Sequence, residues 1–275
     1  MRLDRALYAR GLARSRSHAQ ELITAGAVTV DGTMVTKPAH PVSDDAVLGV
    51  APDAGRYVSR AAHKLIGALE VCAADGLSVD GRRALDAGAS TGGFTQVLLE
   101  RGAAHVLAVD VGHDQLAPTI REDPRVTVRE GVNVRDLDAT TPGAGVGLVV
   151  ADLSFIALPL VIPALVAFAG RGADLLLMVK PQFEVGRGKL SARGVVTSST
   201  ARASAVRGVA QAMSDAGLAL HRVARSALPG PQGNVEFFIW GSYVWQARTR
   251  DAHARPVLDG ETLEQAIARE VKEDA

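Results

Sequence analysis

The sequence predicts an α/β protein, with a mostly parallel sheet of seven strands covered by helices on both faces and a small α+β module ahead of it. Three observations predict this. Strand-like and helix-like stretches alternate from residue 60 to 245, the pattern of βαβ units in a parallel sheet. The last two strand candidates follow each other without a helix between them, which turns the final strand antiparallel. Residues 1–50 carry instead two short helix patterns and an Asp-Gly hairpin signal, too little for a core of the same kind.

In the first module, Leu3, Leu7 and Leu12 stand near helical spacing, and Gly11 is placed to stop a first helix. Ser15 can cap a second helix, Arg16–Ala25, which Gly26 ends and whose Ala19, Leu22 and Ile23 share a face. Val28-Thr29-Val30, Asp31-Gly32 and Met34-Val35 read as a hairpin. Pro38, Pro41 and Ala51–Gly55 mark a linker, so the expected domains are 1–50 and 60–275, joined by 51–59. The seven strand candidates of the larger unit are Ala84–Ala87, Val106–Asp110, Val126–Val128, Gly147–Asp152, Leu175–Val179, Leu218–Ala224 and Glu236–Trp240. Helix patterns between them include Phe94–Arg101, Pro159–Ala169 and Thr200–Ala216. Leu263, Ile267 and Val271, at four-residue spacing, predict a terminal helix over Gly260–Lys272.

Composition bounds the function. The 275 residues are 47% hydrophobic and 22% charged, which suits a globular protein with a sizeable core. The single cysteine, Cys72, excludes an internal disulfide and a cysteine-based zinc site. His18, His63 and His113 have no metal-ligand spacing, so no metal is expected. No apolar run is long enough to span a bilayer, and the charged start MRLDRALYAR is not a signal peptide; a cytoplasmic protein is expected. The 30 basic and 30 acidic residues cancel overall. However, Arg2, Arg5, Arg10, Arg14 and Arg16 crowd residues 1–30, and Lys180, Arg187, Lys189, Arg193, Arg202 and Arg207 crowd 180–207. Separate basic patches suit a polyanionic partner, although solvated faces give the same composition.

The first strand of the larger unit runs into Asp86-Ala87-Gly88-Ala89-Ser90-Thr91-Gly92-Gly93-Phe94. A glycine-rich turn from strand to helix lets a ligand approach the backbone and presents free N–H groups. Ser90 stands where a dinucleotide site needs its second glycine for a close pyrophosphate. S-adenosylmethionine (SAM) has no phosphate and does not need that pattern. Asp86 is placed to hold the methionine ammonium, Asp110 at the end of the next strand to accept from both ribose hydroxyls, and Asn133 to bond the adenine. A plain tight turn with capping carboxylates is the structural alternative. With the antiparallel last strand, the layout is that of a Rossmann-like SAM-dependent methyltransferase rather than a dehydrogenase.

Four charged residues stand at the edges of apolar stretches. Asp152 ends the strand Leu148–Ala151, Lys180 ends Leu175–Val179, Glu236 opens Phe237–Trp240, and Lys64 lies in a helix leading into the core. Ligands of open α/β sheets bind at the carboxyl ends of the strands, and a lysine there is costly unless paired or used. Two lysines and two carboxylates can neutralise each other. A lysine crowded by a like charge and by desolvation can also lose its proton and act as a general base towards a hydroxyl. Two structural ion pairs are the alternative.

These residues lie within segments that resemble the TlyA family of ribosomal RNA 2′-O-methyltransferases, whose members have also carried the name haemolysin. The resemblance runs from Arg2 to about Trp240 on GLARSR (11–16), VTVDG (28–32), SRAAHKL (59–65), LDAGASTGGFT (85–95), ADLSFI (151–156), VKPQFE (179–184) and LPGPQGNVEFF (228–238). It implies an S4-like RNA-binding module and an FtsJ-like methyltransferase domain, with the Lys-Asp-Lys-Glu tetrad on Lys64, Asp152, Lys180 and Glu236. It also implies SAM as cofactor and cytidine 2′-O-methylation in 23S and 16S rRNA, within 50S and 30S subunits, by a monomer. Residues 260–272 correspond to a terminal helix that shorter members limited to 23S rRNA lack. Arg14, Arg16, Lys37 and Arg60 are candidate phosphate contacts. Phe155, beside the crevice, can stack on an extruded base or simply line the wall. A membrane-acting cytolysin would need a spanning or strongly amphipathic segment, which the sequence lacks. An inactive assembly factor would be expected to have lost a tetrad or SAM residue, and none is missing. A pseudouridine synthase, which also carries an S4-like module, has no use for the glycine-rich turn.

Overall fold

The computed structural model describes residues 1–24, 26–51, 55–243 and 255–272. Ala25, the end of the second expected helix, and Pro52–Ala54, most of the expected Ala51–Gly55 linker, lie outside the described residues. The chain divides into two compact units, Met1–Ala62 and His63–Ala275.

In the first unit, α1 (Leu3–Ala9) and α2 (Arg16–Thr24) share a core with a small antiparallel sheet. Gly11, at φ +71°, closes α1: its N–H reaches Tyr8 O at 3.1 Å and that of Leu12 reaches Leu7 O at 2.9 Å, satisfying two end carbonyls. Leu12, near helical spacing but past this stop, lies beyond the helix and is 37% exposed. Ser15 Oγ accepts the His18 N–H at 3.0 Å and caps α2. The sheet has the order β2-β1-β3 from β1 (Val28–Val30), β2 (Thr33–Met34) and β3 (Leu48–Val50). Asp31 and Gly32, both at positive φ, make the two-residue hairpin. The sequence reading missed β3, whose central Gly49 breaks its pattern. That glycine leaves room for Thr29, whose Oγ1 lies 2.5 Å from where a Cβ would stand.

In the second unit, reached through α3 (Ala61–Ala73), the elements are β4 (Arg83–Ala87), α4 (Gly93–Glu100), β5 (His105–Asp110), α5 (Pro118–Arg121), β6 (Val126–Glu130), β7 (Val146–Ala151), α6 (Ile162–Phe168), β8 (Ala169–Val179), α7 (Pro181–Glu184), α8 (Ser199–Asp215), β9 (Leu218–Arg225), β10 (Phe237–Tyr243) and α9 (Gly260–Val271). The strands form one seven-stranded sheet of order β6-β5-β4-β7-β8-β10-β9. The pairs among β4 to β8 are parallel, and β10 is antiparallel to both neighbours. Helices α6, α8 and α9 cover one face, over Leu85, Val109, Val149, Leu177 and Ile239. On the other face, Phe94 of α4 stacks on Phe238 of β10 at 6.3 Å. The expected helix Pro159–Ala169 is shorter than predicted: Leu158–Leu160 form a 3₁₀ turn, α6 begins at Ile162, and β8 begins at Ala169, six residues before the expected strand. Gly170-Arg171-Gly172 reads as a turn in sequence, but the strand passes through it with an irregular register against β7.

Candidate active site

Direction of travel along the sheet assembles the site. Gly88, Asp152 and Lys180 each follow the last residue of a parallel strand, so all three emerge at the same edge. Because β10 runs antiparallel, with Phe237 paired to Val179, its first end lies at that edge as well. Glu236, one residue earlier, therefore arrives beside Lys180. Lys64 comes from the first turns of α3.

The four tetrad candidates form two tight pairs. Lys64 Nζ lies 2.5 Å from Glu236 Oε2, with both side chains buried. Lys180 Nζ lies 2.5 Å from Asp152 Oδ1 and donates to Ser154 Oγ at 3.0 Å. A buried charge is tolerated when paired in this way, and removing one partner leaves the other uncompensated. Gln182 Nε2 approaches Glu236 Oε1 at 3.5 Å, so α7 borders both pairs. Gly230 packs directly against the Glu236 carboxylate, which occupies the space a side chain at 230 would need. Ser154 and Gln182 were not singled out from the sequence, although both lie inside the segments 151–156 and 179–184; Gly230 stands in Pro229-Gly230-Pro231-Gln232-Gly233, which reads in sequence as a rigid loop shaping the substrate mouth before Glu236.

Asp152 also faces a cleft of about 390 Å³ lined by Gly88, Ser90, Asp110, Gln115, Asn133, Ser154 and Phe155, with Val111, Val132, Val134, Leu153, Ile156 and Val161 as its apolar part. That volume suits a small molecule of cofactor size. Asp110 receives the Ser90 N–H at 2.8 Å on one oxygen and the Gly112 N–H at 2.7 Å on the other. Asn133 Oδ1 accepts the Arg135 N–H at 3.0 Å, which leaves its Nδ2 as a donor. Gly88, at φ +86°, lies so close to β7 that a Cβ would meet Asp152 O at 2.7 Å.

Five of the nine expected cofactor contacts do not line the cleft. Alternate strand residues point to opposite faces, and Asp86 lies on the α4 side, where it accepts the Thr95 hydroxyl at 2.7 Å and is fully buried. Burial pushes its carboxyl up to about 7 against the Thr95 bonds, with the Asp152 and Asp110 charges adding to the rise. Its Oδ2 anchors α4, while its buried Oδ1 has no hydrogen-bond partner among the described residues. Gly92 serves packing: at φ +98° it lets Leu116 and Ile120 approach. Gly93 and Phe94 open α4 and are buried, while Thr91 is exposed outside the cleft wall.

The RNA candidates also divide. Arg14 and Lys37 are exposed. Arg16 Nε is drawn to the buried Asp4 at 3.2 Å, alongside Arg2 at 3.0 Å and Gln20 at 2.9 Å. These partners hold the Asp4 carboxyl well below the usual range, with the Arg2 bond the largest cause. Arg60 is half-buried, with Nη1 3.6 Å from Met34 Sδ. Phe155 is 92% exposed at φ +64° and leans on Phe183 at 5.2 Å between ring centres. Among the described residues, no cluster of three or more metal-ligating side chains occurs, and no helix is long and apolar enough to cross a membrane.

Comparison with known proteins fits this geometry. The FtsJ-like methyltransferase family model matches residues 57–243, and the S4 domain model matches residues 1–48. The chain is 52% identical over 273 residues to the 16S/23S rRNA (cytidine-2'-O)-methyltransferase TlyA of Mycobacterium tuberculosis, covering 99% of this chain and 97% of that relative. It is 36% identical over 238 residues to Hemolysin A of Brachyspira hyodysenteriae, covering 86% and 98%. A solved structure from Streptococcus thermophilus that carries a haemolysin name superposes with a TM-score of 0.71 at 32% identity, over 98% of this chain and 94% of that one. Fold and site together define an FtsJ-like methyltransferase preceded by an S4 domain. Within that class, the chain belongs to the TlyA family.

Proposed function

We propose that the protein is a SAM-dependent methyltransferase that modifies the 2′-hydroxyl of cytidine in ribosomal RNA, in both 50S and 30S subunits. In this reading residues 1–50 bind RNA, 51–59 join the domains, and 60–275 carry the chemistry. The protein works as a monomer in the cytoplasm. The observation that carries the reading is the meeting of Lys64, Asp152, Lys180 and Glu236 as two 2.5 Å pairs at the strand ends beside a cofactor-sized cleft. The relative named as acting on both 16S and 23S rRNA supports the choice of substrate.

The cleft residues fit SAM. Asp110 oxygens retain lone pairs for the ribose hydroxyls beyond the two backbone bonds they accept. Asn133 Nδ2 and the valines at 111, 132 and 134 suit a flat base with a polar edge. When bound, SAM supplies an electrophilic methyl group. Lys180, in its neutral amine form, takes the proton of the 2′-hydroxyl at Nζ as the new bond forms, with its amine aimed by Asp152 and Ser154. Glu236 fixes Lys64, whose ammonium positions the ribose. Phe155, on the cleft rim, stacks on the extruded base.

The test is mass-spectrometric mapping of ribose methylation in 23S and 16S rRNA from cells with and without the gene. A cytidine that loses its 2′-O-methyl group in each rRNA when the gene is absent, and regains it with purified protein and SAM, supports the reading. Identical maps would overturn it.

A further inference from the structure

The turn after β8 does more than carry Lys180. Lys180 holds Asp152 and Ser154, Gln182 reaches towards Glu236, Phe183 meets the Phe155 ring, and Glu184 Oε1 accepts the Leu158 N–H at 2.9 Å. Glu184 is the odd member of this set. It is half-buried, it does not line the cleft, and no cation pairs with it among the described residues. Burial pushes its carboxyl up to about 7, with only the Leu158 amide opposing. A carboxylate without a counter-ion is a costly occupant of such a place unless its hydrogen bond is needed.

The other end of the bond explains the need. Leu158 opens a 3₁₀ turn over Leu158–Leu160, and Ala157 before it provides no side-chain cap. That turn closes the loop 152–158. The loop starts with Asp152, carries Ser154, and holds Phe155 in a left-handed conformation that a bulky residue adopts only when its surroundings enforce it. The loop is thus tied at both ends to one short segment of chain, through Asp152 to Lys180 and through Leu158 to Glu184.

We propose that Glu184 is a positioning residue for methyl transfer. By accepting the Leu158 N–H, it fixes the loop that presents Asp152, Ser154 and Phe155 against the turn that presents Lys180. The inference rests on the methyltransferase reading above. Glu184 touches neither the cleft nor the reacting atoms, so its effect passes entirely through the loop.

The experiment compares full-length wild type, Glu184→Ala, Glu184→Gln and Lys180→Ala. Four quantities are measured: thermal unfolding, SAM affinity by calorimetry, amide hydrogen exchange over 153–158, and the single-turnover methylation rate on ribosomal subunits from cells lacking the gene. In Glu184→Ala, exchange at Leu158 should accelerate and the rate should fall about 10- to 100-fold at unchanged SAM affinity, as expected when a reacting group is misplaced by about an ångström. Glu184→Gln retains an acceptor oxygen and should restore both the protection and most of the rate. Wild-type turnover in Glu184→Ala despite a freed Leu158 amide would overturn the proposal, as would a Gln variant as slow as the Ala variant with its amide protected. If Glu184→Ala does not unfold cooperatively, the Gln variant decides: lost protection with an unchanged rate overturns the proposal, and protection and rate retained or lost together support it. Lys180→Ala separates the two levels. Full activity in that variant would sink the assignment of the base, whereas an inactive Lys180→Ala beside an unaffected Glu184→Ala would remove only the positioning role.

Discussion

Asp86 and Asp110 end neighbouring stretches of the same sheet, yet one supports a helix and the other faces the cleft. Asp110 was legible because it follows an apolar strand as its last residue. The bond of Asp86 to Thr95 was not, because Ala84-Leu85-Asp86-Ala87 belongs to a strand buried on both faces, where composition gives no alternation from which to read direction. Burial of Asp86 has a consequence for stability. Its carboxyl rises from 3.8 to about 7 in the folded protein, so the native state keeps a proton that the unfolded chain releases. The associated stability is full below about pH 4 and is lost as pH rises to about 7. Asp86→Asn removes this dependence. Its stability relative to wild type should rise between pH 5 and pH 8 by on the order of a few kcal/mol, measured by denaturant unfolding at both pH values. Parallel pH curves for the two proteins would contradict the assignment.

Elements place the remaining groups. The antiparallel β10 was predicted from the missing helix between the last two strands, and it is this reversal that brings Glu236 to the edge that carries Lys180. The loop before it reads in sequence as a rigid loop at the substrate mouth, but the need for a glycine at 230 was not legible, because it arises from a carboxylate six residues later in the chain. Gly230 has an ordinary φ of −66°, so Gly230→Ala is allowed by the backbone and tests contact alone. The added methyl should displace Glu236 from Lys64 and lower single-turnover methylation at least about tenfold, as a small misplacement near the reacting groups does, with SAM affinity retained in calorimetry. A wild-type rate would mean that the Lys64–Glu236 pair is dispensable. In α2 and its approach, the basic pattern was legible but its division of labour was not, since the pull of Asp4 on Arg16 requires α1 to fold against α2. Arg14→Ala should reduce the salt dependence of subunit binding by about one unit in the log–log slope. Arg16→Ala should instead lower the unfolding midpoint of the first unit, by removing a partner of a buried carboxylate. Filter binding across a salt series and thermal unfolding separate the two outcomes.

At the scale of the whole molecule, a net charge of zero carries no information about a polyanionic partner, and the local clusters within each unit do. The tetrad is likewise a property of the complete second unit. Lys64 and Glu236 are 172 residues apart in sequence, and the sheet order between them determines whether they meet. Charge beside an apolar strand singled out Asp152, Lys180 and Glu236 in the sequence, and a helix leading into the core singled out Lys64. The pairing of Lys64 with Glu236 and Lys180 with Asp152, and the part of α7 in bordering both, depended on three-dimensional register. The central claim is that Lys180 removes the 2′-hydroxyl proton. Lys180→Arg tests it most directly, because a guanidinium keeps the positive charge and can still pair with Asp152 but does not act as a base in this pH range. With saturating SAM and ribosomal subunits as substrate, the account predicts loss of single-turnover methylation by at least about 100-fold, the scale of general-base catalysis, with SAM and subunit binding retained. A rate near wild type would contradict it, and would leave Lys180 a role in charge and position alone.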